Sequence, residues 1–103
     1  MIYRVLFTKE AKEDIKDIYE YISYALLEPT IAKGQITRII SMINSLNEMP
    51  MRFKLCEVEP WYSLGLRVVA VDNYLVFYLP DVNEKTVKII RIMYSGRDIN
   101  VQL

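Results

Sequence analysis

The stretch "LRVVAVDNYLVFYL" (residues 66–79) decides the architecture. Two runs of β-branched and aromatic residues flank Asp72-Asn73, a dipeptide suited to a two-residue hairpin turn with positive φ. The reading predicts strands over 66–71 and 74–79, with Val71 opposite Tyr74 and Arg67 opposite Tyr78. Cross-strand partners share a face, so Arg67 is expected beside the Tyr78 ring. Downstream, residues 80–84 ("PDVNE") read as a second turn, and "TVKIIRIMY" (86–94) as the next strand. That strand stops at Tyr94-Ser95-Gly96-Arg97-Asp98, a phenol, a flexible hinge and an ion-pair dipeptide.

Upstream of the hairpin, residues 51–63 have no period and read as a long loop carrying Arg52, Lys54, Glu57, Glu59, Trp61 and Tyr62. Long loops in small proteins are often functional. The plainer alternative is a packed connector with Trp61 and Phe53 plugging the sheet edge. Before it, Ala32, Ile36, Ile39, Ile40, Ile43 and Leu46 form the apolar stripe of a helix that begins near Thr30 and ends at Pro50. Gly34 inside that helix costs about 1 kcal/mol against Ala, which predicts a close helix–helix contact there. A first helix, capped by Thr8 with Glu10 in its first turn, carries Ala11, Ile15, Ile18, Ile22 and Ala25 or Leu26 on one face. Lys12, Glu13, Lys16, Asp17 and Glu20 lie opposite, and Glu28-Pro29 interrupts the pattern. Tyr19, Tyr21 and Tyr24 are either core or contact residues; periodicity does not separate the two. Residues 2–7 begin the chain as a short strand. The order is β-α-α-β-β-β. The expected fold class is α+β, with a helical hairpin on one face of a mainly antiparallel four-stranded sheet.

The 103 residues suit a single domain spanning 1–103. No apolar run approaches the ~20 residues that span a membrane. The N-terminal stretch lacks a basic segment followed by an apolar one, so no signal peptide is expected. The lone Cys56 excludes an internal disulfide and fits a reducing cytoplasm. With no histidine and one cysteine, the usual zinc sites and every Ser-His or Cys-His pair are excluded. No glycine-rich phosphate loop is present, and neither metal nor cofactor is expected. Glu57 and Glu59, two apart in a loop, are weak evidence for an acid–base pair.

Thirteen basic residues balance thirteen acidic ones. A protein built to hold a nucleic-acid backbone usually carries a basic surplus, so the balance argues mildly against that role. The distribution is uneven. Residues 85–103 hold Lys85, Lys88, Arg91 and Arg97 against Asp98, whereas residues 1–32 carry an acidic excess. Arg67, Arg91, Tyr94 and Arg97 are expected on the sheet surface that the helices leave bare. Arginines beside an aromatic ring can hold phosphate and stack a base. The competing view pairs Arg97 with Asp98 to pin the tail and leaves Tyr78 and Tyr94 at the edge of the core.

Several stretches, taken in order, carry a resemblance: "AKEDIKDIYEYI" on the first helix, then "SLNEMP", "LGLRVVAVDNYLVFYL" and "TVKIIRIMYSGRD". Over nearly the whole chain, Tyr3 to about Asp98, this is similar to the RelE/ParE superfamily of toxins from type II toxin–antitoxin systems, the plasmid-stabilisation toxins. The resemblance implies a cytoplasmic growth inhibitor masked by a cognate antitoxin. It also implies one of two activities. RelE-like members cut mRNA in the ribosomal A site. Arg67 matches their middle-strand arginine and Tyr94 their closing Tyr or His. A ribose 2′-hydroxyl would then attack the adjacent phosphate while Arg67 and Arg97 stabilise charge and Tyr94 positions or donates. Arg52 and Lys54 supply only a sparse version of that group's basic cluster. ParE-like members poison DNA gyrase and are not nucleases. The long helical hairpin (residues 9–48) and the closing Arg97-Asp98 favour this branch, although Tyr94 stands where many relatives have His. The binding residues implied across the two are Arg91, Tyr78, Arg52, Lys54, Trp61 and Asp98. A third reading is a non-toxic interaction module of the same fold.

Overall fold

The computed structural model describes residues 2–96; Arg97 and Asp98 lie outside the described residues. The elements are β1 (Arg4–Phe7), α1 (Lys9–Glu20), a π-helical turn (Tyr21–Ala25), α2 (Pro29–Ser45), a 3-10 turn (Pro50–Arg52), α3 (Trp61–Leu64), β2 (Arg67–Val71), β3 (Tyr74–Asp81) and β4 (Thr86–Tyr94). The four strands form one sheet in the order β1-β4-β3-β2. β1 lies parallel to β4, and the other two pairings are antiparallel. This is the expected α+β fold with a mainly antiparallel sheet.

Thr8 ties three elements together. Its hydroxyl accepts from the Ala11 N–H at 3.1 Å, capping α1, and donates to the Ile89 carbonyl of β4 at 2.8 Å. The hairpin register is the one the turn predicts, with Val71 opposite Tyr74 and Arg67 opposite Tyr78. Asp72 takes a left-handed conformation (φ 55°). Its carboxylate accepts from Gln35 at 3.0 Å and Arg38 at 2.7 Å, both on α2, so the turn is clamped to the helix layer. Those two hydrogen bonds lower its pKa, the Arg38 bond most.

Side chains alternate across the sheet. Val69, Val71, Val76, Tyr78, Val87, Ile89 and Ile92 meet Ala11, Ile39, Ile43 and Leu46 in the main core. The opposite face holds a second cluster: Cys56, Leu66, Phe77 and Met93, with Trp61, Val68 and Leu75 packed against it. The face expected to be bare is therefore apolar around Phe77 and Met93, where the connector packs on it, while Lys88 on β4 stays exposed. The 51–63 segment also extends the sheet edge. Cys56 N–H donates to the Leu66 carbonyl and Val68 N–H to that of Lys54. The segment packs as a connector, with Phe53 against the main core and Trp61 against the second cluster.

Gly34 does not mark a close helix contact. A β-carbon placed there would meet only the Arg38 guanidinium, at 3.4 Å. Helix α2 ends at Ser45 with Leu46 as its cap, so it stops short of Pro50. Met49, just before that proline, is left-handed at φ 47° and turns the chain into the 3-10 segment.

Candidate functional site

Three of the expected site residues converge on the Pro50–Phe53 loop, each in a structural role. Arg67 donates through one guanidinium nitrogen to the Phe53 carbonyl at 2.7 Å and the Met51 carbonyl at 3.1 Å. Tyr78, 0 % exposed, donates its hydroxyl to the Pro50 carbonyl at 2.7 Å. Burial pushes its phenol up to about 12, although the nearby Arg67 and Arg52 charges act in the opposite sense. The Tyr78 ring is thus a protonated core anchor. Its expected place at the surface is corrected: positions 74, 76 and 78 alternate onto the helix-covered face. Arg67 shares that face with Val69 and Val71, which corrects its placement on a bare surface.

Arg52 closes the C-terminus of α2. It donates to the carbonyls of Glu48 at 2.6 Å and Met49 at 3.2 Å and to the Ser45 hydroxyl at 2.8 Å. Cations belong at this negative end of a helix dipole. Its guanidinium also lies 4.6 Å from the centroid of the Phe53 ring. Lys54 is exposed, and Trp61 is half-buried against the second cluster.

The remaining described candidates, Arg91 and Tyr94, lie on β4. β4 is irregular between its pairings of Arg91 with Phe77 and Ile89 with Tyr78, so Ile90 is an extra residue. Arg91 at this bulge forms a two-pronged pair with Asp14 of α1, Nε at 2.8 Å and an outer nitrogen at 2.9 Å. The same carboxylate accepts the Ile92 N–H at 2.9 Å. The Asp14 hydrogen bond raises the Arg91 pKa further, against the effect of burial. Sequence reasoning missed Asp14, because an acid in a charged helix looks solvated until the bulge that needs it is known. Tyr94, 51 % exposed, packs edge-on against Tyr74 with centroids 5.9 Å apart. Burial, followed by the Tyr21 and Tyr94 phenols, raises the Tyr74 pKa.

Arg67 and Tyr94 are not brought together. Arg67 is registered with Tyr78 and Tyr94 with Tyr74, four positions apart on β3 and on opposite sides of it. Strand spacing and rise place their backbones on the order of 16 Å apart. Their side chains also diverge, one to the 51–53 carbonyls and the other to Tyr74. Among the described residues no group of three or more His, Cys, Asp or Glu could hold a metal ion. No helix of the described residues is long and apolar enough to cross a membrane.

Comparison with protein families matches residues 5–99 to the ParE toxin of the type II toxin–antitoxin system parDE. The chain belongs to the ParE toxin family. Solved structures agree on the fold of this ParE-family chain. The chromosomal ParDE system of P. aeruginosa superposes with a TM-score of 0.75 at 18% identity, covering 90% of this chain and 96% of that one. The toxin–antitoxin complex RelBE2 of Mycobacterium tuberculosis gives 0.64 at 23% identity, covering 91% and 99%. The archaeal RelE–RelB complex of Pyrococcus horikoshii gives 0.66 at 21% identity, covering 95% and 100%. No curated protein matches the sequence.

Proposed function

We propose that this ParE-family chain is a growth inhibitor that acts on DNA gyrase and is neutralised by a cognate antitoxin. The separation of Arg67 from Tyr94 carries the choice of target. Cleavage of RNA by its own 2′-hydroxyl needs the charge-stabilising cation and the proton donor within hydrogen-bond reach of one phosphate, about 3 Å each. Here the two are registered four positions apart on β3, on opposite sides of it, and Arg67 is occupied by carbonyls. Zero net charge favours the same conclusion, since ribosomal RNA is a polyanion. The antitoxin partner is inferred from family membership and from the toxin–antitoxin assemblies that share the fold.

The test runs two assays on the purified, antitoxin-free chain. One measures supercoiling by gyrase and the DNA breaks it accumulates. The other maps mRNA ends by primer extension in reconstituted translation. The expected result is loss of supercoiling, with mRNA intact and the cognate antitoxin reversing the effect. New mRNA ends at codon positions, lost in Arg67→Ala, would overturn the reading in favour of a ribosome-dependent nuclease.

A further inference from the structure

The helical hairpin ends in a surface that folding does not explain. Between Tyr21 and Ile31, five large apolar residues face solvent: Tyr21, Tyr24, Leu26, Leu27 and Ile31. Tyr24 is 71 % exposed and Leu27 78 %. Leu27 is also left-handed, at φ 56°. A residue with a β-carbon costs about 1–2 kcal/mol in that conformation, which Gly or Asn adopts more easily. The fold gains almost nothing in return, because the leucine buries so little. The π-helical turn Tyr21–Ala25 inserts an extra residue into the helical path. It keeps Ile22 and Ser23 inside while Tyr21 and Tyr24 point out. Such turns recur at functional positions. Burial raises the Tyr74 pKa, with smaller contributions from the Tyr21 and Tyr94 phenols nearby.

Charge says what covers this surface. Residues 17–32 contain Asp17, Glu20 and Glu28 and no Lys or Arg, with Lys16 and Lys33 the nearest cations in sequence on either side. An apolar patch with an acidic rim is repelled by nucleic acid and by anionic lipid, and is complementary to an apolar cleft bordered by Lys and Arg. An enzyme that handles DNA presents basic surfaces of that kind to phosphates. Resting on the gyrase reading above, we infer that the hairpin tip, centred on Tyr24 and Leu27, is the surface that docks on a basic-rimmed apolar cleft of gyrase.

The variant Leu27→Asn with Tyr24→Ser removes the apolar centre and places at 27 a residue suited to the left-handed conformation, so it should fold at least as well. With purified gyrase holoenzyme, the double variant should need about tenfold more protein for half-inhibition, as expected for loss of central contact residues. Binding to the cognate antitoxin should stay within about threefold, and Glu28→Gln should weaken the salt dependence of gyrase inhibition. Undiminished gyrase inhibition by the double variant would overturn the inference, as would loss of antitoxin binding instead. If the wild-type chain leaves gyrase untouched, the gyrase reading falls and growth arrest becomes the measurement. Arrest unchanged in the double variant would then sink the docking surface too. Arrest relieved would keep the surface and assign it another basic-rimmed target.

Discussion

Tyr78 shows how one buried hydroxyl can fix a loop. Its phenol is held at about 12 in the fold, against about 10 in an unfolded chain. A group whose folded pKa is raised contributes stability that is complete below the unfolded value and is lost as pH climbs toward the folded one. The sensitive window is therefore pH 10–12, and the loss across it is on the order of 2 kcal/mol. Tyr78→Phe removes both the titration and the bond to the Pro50 carbonyl. We expect the variant to be about 1–2 kcal/mol less stable at pH 7, since a buried carbonyl loses its partner. The gap to wild type should narrow as pH passes through 10–12, read from urea midpoints at each pH. A gap that stays constant up to pH 12 would mean that the Tyr78 phenol ionises no differently in the folded and unfolded chains.

At the scale of elements, the sequence makes some features legible and hides others for physical reasons. The β2–β3 register is readable because a two-residue turn leaves no freedom in pairing. The α1 cap is readable because Thr8 is a local signal. The parallel pairing of β1 with β4 is not, because it joins Arg4 to Thr86 across nearly the whole chain. The face carrying Arg67 is not readable, because Val68 and Ala70 are as apolar as Val69 and Val71, so strand parity does not say which side the helices cover. The π-helical turn is illegible, since one extra residue looks like ordinary drift of an apolar stripe. Gly34 gives a direct check of this level. With only a flexible side chain near its missing β-carbon, Gly34→Ala should stabilise α2 by about 0.5–1 kcal/mol, raising the thermal midpoint. A loss of stability would mean that α2 is packed more closely there. Asp14 tests the joint between α1 and the β4 bulge. Asp14→Asn keeps the size but offers an amide N–H₂ toward the Arg91 guanidinium and the Ile92 N–H. It should cost about 2–3 kcal/mol in denaturant unfolding and speed hydrogen exchange at the Ile92 amide. Slow exchange at Ile92 in that variant would show that the carboxylate is dispensable to the bulge.

For the molecule as a whole, the decisive quantity is how much cationic charge remains to meet a polyanion. The count is balanced, thirteen against thirteen. Several of the cations are already engaged within the fold. Arg38 pairs with Asp72 and Arg91 with Asp14, while Arg52 and Arg67 are directed at backbone carbonyls. The acids of residues 1–32 lie in the same compact body and repel phosphate at the distances that steering uses. Affinity for a nucleic acid falls with salt in proportion to the phosphates neutralised, with a slope of roughly −0.7 per contact on a single strand. A chain so balanced should neutralise no more than about two, which predicts a slope shallower than about −1.5. Fluorescence anisotropy of a labelled single-stranded RNA, titrated between low and physiological salt, measures this directly. We expect weak binding at low salt that fades before physiological strength, and no change in Arg67→Ala because that guanidinium is turned to the 51–53 carbonyls. Tight binding with a slope of about −3 or steeper, reduced by Arg67→Ala, would place a phosphate site on the Arg67 side of the sheet. It would favour the ribosome over the proposed gyrase target, since neutral net charge would then conceal a concentrated basic surface.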